Sequence, residues 1–559
     1  MRALWNSTHV LNDAECQLWM LSLLGAISMF LIQPPVDIWW AAWLAPLPWL
    51  SIIRRKNIGS KHPWRILWFA GFLHWLLAIH WLRLPHPATS IGWLALSAYL
   101  ACYVPLFIWI ARFFVHTRNV SLLLAAPLAW VTCEQMRSSL FGGFTFASLG
   151  HSQWRWTLLI QSADLFSTVG ISGLIMVVAA SLTSQSFKQM VIATSVFLLA
   201  LTYGAWRIME EPEPIHEPLD ILLVQGSIDT ELKHKPGSEA DVTQHYDELT
   251  IDGLESASGI LPDLIVWPET MWRWSLLEID PREILPESVL EQFVGPSHET
   301  TMVSDVDRQR ECREILEQER LNTLAVYARR YGTNWLVGVD KQEISPSFPS
   351  GTRNFNCGLF LDSDGKVLEC YEKMYPVMFG EYIPLANYFP WLYSLTPLPT
   401  GLTAGTEPVV VPIKDFRVTV NICYETALPE AVRRLVEFLH ARSTKPDVIV
   451  NLTNDGWFWG SSELDMHLAA AVFRAVEVRT PLVIAANTGF SAWIDGSGRL
   501  LAQGPRRSTG TIRALVQPDG RRSLWLFWGN LPAWGCVAVT GCIIGGGRWW
   551  NSKADDCQI

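Results

Sequence analysis

Three short segments of this chain place a reactive side chain directly after an apolar run. In Leu264-Ile-Val-Trp-Pro-Glu269 an apolar strand is expected to stop at Pro268, and a carboxylate follows at once. Tyr371-Glu-Lys373 brings a lysine to the end of a second run and continues later into Phe379-Gly-Glu381-Tyr-Ile-Pro384. Val418-Thr-Val-Asn-Ile-Cys423-Tyr-Glu425 leads a third strand into a cysteine and then a helix. A cysteine at such an elbow has the helix N-terminus available to stabilise its thiolate. A nearby carboxylate can take up the thiol proton, and an ammonium can hold the oxyanion formed when sulfur attacks a carbonyl. Each residue alone also has a plainer reading: a buried structural cysteine, a loop carboxylate, a solvated lysine.

The elements that must position these groups follow from periodicity. Short apolar runs read as strands at Leu219–Gln225, Leu264–Trp267, Trp335–Val339, Asn354–Leu361, Val367–Tyr371, Arg417–Cys423, Val448–Asn451 and Leu482–Ala486. Amphipathic stretches at Arg313–Arg330, Leu428–Ala441 and Leu464–Val478 read as helices between them. Strands interleaved with helices over about 300 residues predict an α/β layered domain. The polar stretch from Leu276 to Arg310 reads as an insertion or mobile loop. Glu210–Pro218, with Pro212, Pro214 and Pro218, reads as a stiff linker. Ten cysteines without C-x-x-C or a zinc-like His/Cys spacing give no disulfide framework and no metal site.

That body is only part of a 559-residue chain that is half hydrophobic and 17% charged. Such a composition excludes a disordered or fibrous protein, and a net charge of −10 disfavours nucleic acid as a partner. Through Met209 there are 13 Lys/Arg against 5 Asp/Glu, while the remainder is strongly acidic. A membrane domain carrying a soluble one accounts for the asymmetry. Eight apolar windows are long enough, or nearly so, to span a bilayer. They are Gln17–Ile32, Ile38–Ile53, Ile66–Leu82, Ile91–Ile110, Phe113–Cys133, Leu165–Leu182, Met190–Trp206 and Leu524–Gly547. Trp39, Trp40, Trp64, Trp549 and Trp550 stand at their ends as interfacial anchors.

The basic loop Arg54, Arg55, Lys56, Lys61 and Arg65 should be cytoplasmic. Threading eight spans then puts both termini on that side and the body on the other. The first window lacks a cleavage site and reads as retained. The predicted domains are 1–209, 210–522 and 523–559. Polar residues in or next to the windows are His74, His80, Glu134, Arg137 and Asp164. Glu134 and Arg137, at i,i+3, read as an ion pair, with a lipid phosphate as the other reading for Arg137. The histidines read as interhelical hydrogen-bond formers.

Glu, Lys and Cys in this order, each at a strand end, resemble the nitrilase superfamily, whose core is an α-β-β-α sandwich with a Glu-Lys-Cys triad. Asn454-Asp-Gly-Trp457-Phe458, the helix with Arg474, Ala475 and Glu477, Asn487-Thr-Gly489 and Asp495-Gly-Ser-Gly498 extend the match. A nitrilase-like domain inserted ahead of the last span of a membrane bundle is more specific. It resembles the apolipoprotein N-acyltransferase family over nearly the whole chain. Trp40-Ala-Ala-Trp43-Leu-Ala-Pro46 after Pro35, Gly71 with Trp81, and Glu134-x-x-Arg137 carry that likeness in the membrane part. Gly143-Phe144, Leu149-Gly150-His-Ser-Gln153 and Val224-Gln-Gly226 continue it.

The resemblance implies transfer of an acyl chain from a membrane phospholipid to the α-amino group of a diacylglyceryl-cysteine at the N-terminus of apolipoproteins. It implies a ping-pong route through a thioester, with Cys423 as nucleophile, Glu269 as general base and Lys373 as oxyanion stabiliser. Glu381 and Glu425 would be supporting carboxylates and Tyr424 a pocket wall. Trp457 and Phe458 read equally as pocket wall or core. No cofactor or metal is implied, and the place would be the bacterial inner membrane with the catalytic domain periplasmic. The chain departs from the family's usual pattern at Thr145-Phe146, Ser227 and Lys233-His234. Two other functions compete: a membrane-tethered amidase acting on a small amide, and a non-catalytic nitrilase-like sensor.

Overall fold

A computed structural model describes residues 13–210, 217–229, 237–256, 260–294, 304–348, 350–386, 388–395 and 401–555. The linker prolines Pro212 and Pro214 and the departures at Lys233 and His234 lie outside them, as do the side chains of Trp549 and Trp550. The chain forms two compact units. One comprises Met1–Glu211, Ser461–Val478 and Arg521–Ile559; the other comprises Pro212–Gly460 and Arg479–Gly520.

The second unit is built on twelve strands. They are β1 (Leu219–Gln225), β2 (Leu264–Ile279), β3 (Asn334–Ile344), β4 (Thr352–Leu361), β5 (Val367–Glu372), β6 (Val410–Ile413), β7 (Phe416–Ile422), β8 (Val448–Thr453), β9 (Leu482–Ala486), β10 (Ala492–Ile494), β11 (Leu500–Gln503) and β12 (Gly510–Val516). They make two six-stranded sheets, in the orders β12-β1-β2-β3-β4-β5 and β11-β10-β9-β8-β7-β6. In each sheet three central strands run parallel and the flanking ones antiparallel.

Alternation explains the layering. Leu219, Ile221, Leu223, Leu264 and Val266 point to one side and share a core with Val418, Val420, Val448 and Val450 of the other sheet. Leu222, Val224, Ile265 and Trp267 point to the opposite side. There they pack on Val242 and Tyr246 of the helix Glu239–Glu255 and on Leu324 and Ala328 of the helix Asp305–Tyr331. The result is a nitrilase-like α/β body with two packed sheets.

Two expectations need correction here. The strand at Leu264 does not stop at Pro268, because pairing with β3 resumes at Trp272 and continues to Ile279. The stretch Leu276–Arg310 is therefore not one long loop: it holds the end of β2, the helix Glu287–Phe293 and the start of the helix Asp305–Tyr331. Residues 295–303 within it lie outside the described set.

In the first unit, four helices among the described residues are long and apolar enough to cross a membrane. These are Asp13–Leu31, Thr89–Thr117, Ala163–Ser184 and Phe187–Met209, and they fall on the first, fourth, sixth and seventh expected windows. The fifth window straddles two helices, because the chain turns between Thr117 and Leu122 with Asn119 at φ +54°. The second window divides into a 3-10 turn, Trp39–Trp43, and a helix of eight residues, Leu47–Arg54. The last divides at Gly529, between Leu524–Trp528 and Leu531–Asp555.

Buried polar groups in this unit fasten one segment to another. Arg137 stands 4.0 Å from Glu134 and donates to the Phe146 carbonyl and Ser148 Oγ, each at 2.8 Å. Glu134 accepts from the Leu149 N–H at 2.9 Å. Arg207 pairs with Asp164 at 2.9 Å, and Tyr203 donates to the same carboxylate at 2.7 Å. His74 Nδ1 lies 3.3 Å from the Ala26 carbonyl of a neighbouring helix. His80 differs from expectation: its Nδ1 meets the Leu77 carbonyl three residues earlier, because the helix ends there in a 3-10 turn.

Candidate active site

Glu269 owes its position to an interruption in β2. Trp267 pairs with Val337 and Trp272 with Val339, so five steps along β2 match two along β3. The surplus residues bulge out, with Thr270 at φ +52°. Pro268 suits this place because it has no N–H to lose from the ladder. The bulge passes so close over β3 that a Cβ on Gly338 would collide with the Pro268 carbonyl oxygen and lie 2.6 Å from Glu269 Cα. Only glycine fits beneath Glu269.

Cys423 follows β7 directly and sits at φ +53°, a conformation costing a non-glycine residue about 1–3 kcal/mol. A single 3-10 turn, Cys423–Ala427, comes next, and the regular helix begins only at Pro429. The expected helix N-terminus at the sulfur is therefore one short turn. Lys373 follows β5, and its N–H donates to the Asn356 carbonyl at 2.8 Å.

The bulge in β2 and the ends of β5 and β7 converge. Lys373 is 1% exposed, and its Nζ lies 2.7 Å from Glu381 Oε1 and 3.4 Å from Glu269 Oε1. Burial pulls the ammonium down, but the charges of Glu381, Glu269 and Cys423 outweigh it and hold Lys373 well above its ordinary value. Burial likewise pushes Glu381 up, against the pull of Lys373. Burial, reinforced by the Glu269 charge and opposed by Lys373, pushes the Cys423 thiol well above its ordinary value. The sequence expectation of a stabilised thiolate fails on this point. The thiol is favoured over the thiolate at this place.

The supporting residues divide by what they hold. Glu381 Oε2 accepts from the Val377 N–H at 2.7 Å, so its other oxygen is fixed on Lys373. Glu425 accepts from the N–H groups of Ile422, Met374 and Tyr375 at 2.7–2.9 Å and from the Tyr371 hydroxyl at 2.9 Å. It ties the segment after Lys373 to the residue before Cys423. Tyr424 is half-buried beside Cys423, and Trp457 and Phe458 are half-buried in the turn after β8.

Three asparagines belong to this cluster that sequence reasoning did not single out as site residues. Asn356 Nδ2 donates to Glu269 Oε1 at 2.6 Å, and the Asn454 N–H donates to Oε2 at 2.9 Å. Asn451 Nδ2 reaches the Cys423 carbonyl at 3.3 Å. The available signal was polarity out of place: Asn356 and Asn451 each interrupt an apolar strand, and both are buried. Together the geometry supplies a sulfur nucleophile, an oriented carboxylate and a buried ammonium, which is what covalent attack on a carbonyl requires.

Residues 25–181 match the family model for the apolipoprotein N-acyltransferase N-terminal domain, and residues 250–524 match that for carbon-nitrogen hydrolase. A Rhodopirellula baltica protein named apolipoprotein N-acyltransferase is 29% identical over 92% of this chain and 95% of its own. A Geobacter metallireducens protein of the same name is 28% identical over 93% of each. Among solved structures, an amidase from Nesterenkonia sp. is 17% identical, aligned over 57% of this chain and 99% of its own, with a TM-score of 0.34.

Proposed function

The chain belongs to the apolipoprotein N-acyltransferase family, and on that premise we propose how its site performs the transfer. The protein is a bacterial membrane acyltransferase that acts in lipoprotein N-acylation. In our reading the acyl donor is a membrane phospholipid and the acceptor is the α-amino group of an N-terminal diacylglyceryl-cysteine.

Glu269 takes the Cys423 proton as sulfur attacks the donor's ester carbonyl. The oxyanion is held by Lys373, with the Tyr424 N–H as a second donor. Glu269 returns the proton to the departing lysophospholipid oxygen, leaving a thioester on Cys423. The acceptor amine then attacks the thioester carbonyl, Glu269 takes up a proton from that nitrogen, and the Cys423 thiol is regenerated. An amine attacks a thioester more readily than an oxygen ester, which gives the covalent step its purpose. Glu381 orients Lys373, Glu425 holds the two loops in register, and Tyr424 lines the acyl pocket.

The observation that carries this reading is the contact of Lys373 with Glu269 and Glu381 beside the strained Cys423 elbow. We take the functional division as 1–209 with 523–559 for the membrane part and 210–522 for the catalytic part. The shorter apolar helices complete eight crossings, with both termini cytoplasmic and the body periplasmic; the cluster Arg54, Arg55 and Lys56 supports that orientation.

A transfer assay tests the reading. Purified protein in phospholipid vesicles is given a synthetic diacylglyceryl-cysteine peptide, and N-acylated product is followed by mass spectrometry. Wild type should form product and Cys423→Ala none. Product from Cys423→Ala at the wild-type rate would overturn the covalent route, and ammonia release from small amides without transfer would favour the amidase.

A further inference from the structure

The β4–β5 hairpin carries two cysteines that acyl transfer leaves unused. In its antiparallel register Cys357 lies opposite Glu372, and Leu359 lies opposite Cys370. Side chains alternate along a strand, so Cys357 and Cys370 emerge on the same face as diagonal neighbours. Both belong to the cluster on the helix-covered side of the first sheet. The two thiols interact directly with each other. Cys357 is fully buried, whereas Cys370 is only half-buried. Cys312, by contrast, has its thiol on the Val289 carbonyl.

The surroundings assign different roles to the two sulfurs. Lys341 lies near both, its Nζ held by Glu372 at 2.7 Å, Glu343 at 3.0 Å and Glu278 at 3.1 Å. Each thiol acts most strongly on the other; burial and the Glu372 charge disfavour a thiolate at either sulfur, and Lys341 favours it. Cys370 is the more exposed residue of the two, so exchange with an external disulfide begins there, with Cys357 behind it.

We propose that Cys357 and Cys370 close to an intramolecular disulfide by exchange with a disulfide oxidant, making this pair a modification site beside the triad. The Cys370 thiolate attacks one sulfur of an oxidant RS–SR, forms a mixed disulfide and expels RS⁻. Cys357 gives up its proton, its sulfur attacks the Cys370 sulfur, and a second RS⁻ leaves. Two electrons pass to the oxidant, which departs as two RSH. A disulfide needs Cα atoms about 4.4–6.8 Å apart, and diagonal neighbours sit at about 7–8 Å. Closure therefore asks for a shift on the order of 1 Å. β5 is an edge strand, paired on one side only, and its register with β4 is already irregular at Phe360 and Leu361.

The bond would fasten the strand leading into Lys373 to the strand carrying Asn356, whose carbonyl already accepts from the Lys373 N–H. Trypsin offers a direct test, since cleavage after Arg353, Lys366 and Lys373 puts the two cysteines on peptides 354–366 and 367–373. The full chain in detergent is exposed to excess glutathione disulfide, remaining thiols are alkylated, and the digest is mapped without reductant. The expected result is one joined species two hydrogens lighter than the pair, split by reduction and missing from Cys370→Ser. Recovery of both peptides alkylated, or glutathione retained on Cys370 with Cys357 alkylated, would overturn the proposal. The wild-type digest alone decides between these outcomes, whether or not the variant folds well.

Discussion

Arg137 and Lys373 are both buried cations with carboxylates beside them, one in the helical unit and one in the sheet body. Arg137 donates to a backbone carbonyl and a serine hydroxyl, stacks on Trp75 at 5.1 Å, and has Glu134 at 4.0 Å. Glu134 in turn holds a backbone N–H of the same loop. Arg474 is answered by the Glu477 carboxylate at 2.8 Å, but Glu477 is itself spent on the Ser167 hydroxyl and the Thr168 N–H where the helix is interrupted, so this pair also fastens backbone. Lys373 donates instead to two side-chain carboxylates, next to a thiol. A charge answered by backbone groups is a fastener. A charge answered by titratable groups can exchange protons, and there chemistry becomes feasible.

That contrast can be broken by parallel substitutions. Glu269→Gln and Lys373→Met should each lower acyl transfer by about 10²–10⁴-fold; the first should cost about 1–3 kcal/mol of stability and the second, which leaves Glu269 and Glu381 unpaired, about 3–5 kcal/mol. Arg137→Met should cost about 3–5 kcal/mol as well, since it leaves a buried carboxylate unpaired, but the protein that remains folded should keep its transfer rate within a few-fold, on the order of the wild-type value. Calorimetry and the transfer assay on the same three proteins read both quantities. If Arg137→Met were as stable as wild type, the fastener reading of the helical unit would fail.

Next in size is Gly338→Ala, which touches no reacting group. Its methyl would collide with the Pro268 carbonyl and push Glu269 out of line. A displacement on the order of 1 Å should cost about 10²-fold in kcat with KM little changed. Wild-type kcat in this variant would mean that the bulge does not set the position of Glu269.

Pro268 also shows what the sequence could and could not convey. β1 and β9 fall where apolar runs predicted them, because buried strands declare themselves by composition. Pro268 read as a strand end, since a bulge depends on a glycine 70 residues away in the neighbouring strand. β10 and β11 went unread because they are only three and four residues long, and β12 because Thr511 and Arg513 break its apolar run. The helix Glu239–Glu255 was missed because its buried face is narrow and partly polar, with Thr243, Asp247 and Thr250 among its buried residues. In the helical unit the apolar run through Phe113–Cys133 hid a turn that only Arg118 and Asn119 betray. Glu269, Lys373 and Cys423, which the fold brings together, were legible as candidates because each follows an apolar run. The amides that orient them were not read, because an asparagine interrupting an apolar strand, as Asn356 and Asn451 do, marks a polar demand without saying which group it serves.

Glu425→Gln sharpens the comparison from the other side, since Glu425 is a carboxylate answered mainly by backbone inside the catalytic body. Its replacement presents an amide NH₂ to N–H donors. The expected loss is about 1–3 kcal/mol of stability, seen as a lowered thermal midpoint. The smallest effect is a pH shift at Cys423. Glu269 disfavours the thiolate and Lys373 favours it, so Glu269→Gln should move the iodoacetamide alkylation profile of Cys423 to lower pH, and Lys373→Met to higher pH. Shifts of the opposite sign would mean that these charges do not act on the sulfur.

If Cys423 carries the acyl group, intact mass spectrometry after incubation with phospholipid, beside Cys423→Ala, will show it. One added acyl chain is expected on wild type only, removed by hydroxylamine. Folded wild type that stays unmodified in the presence of lipid, or an equal adduct on Cys423→Ala, would contradict it.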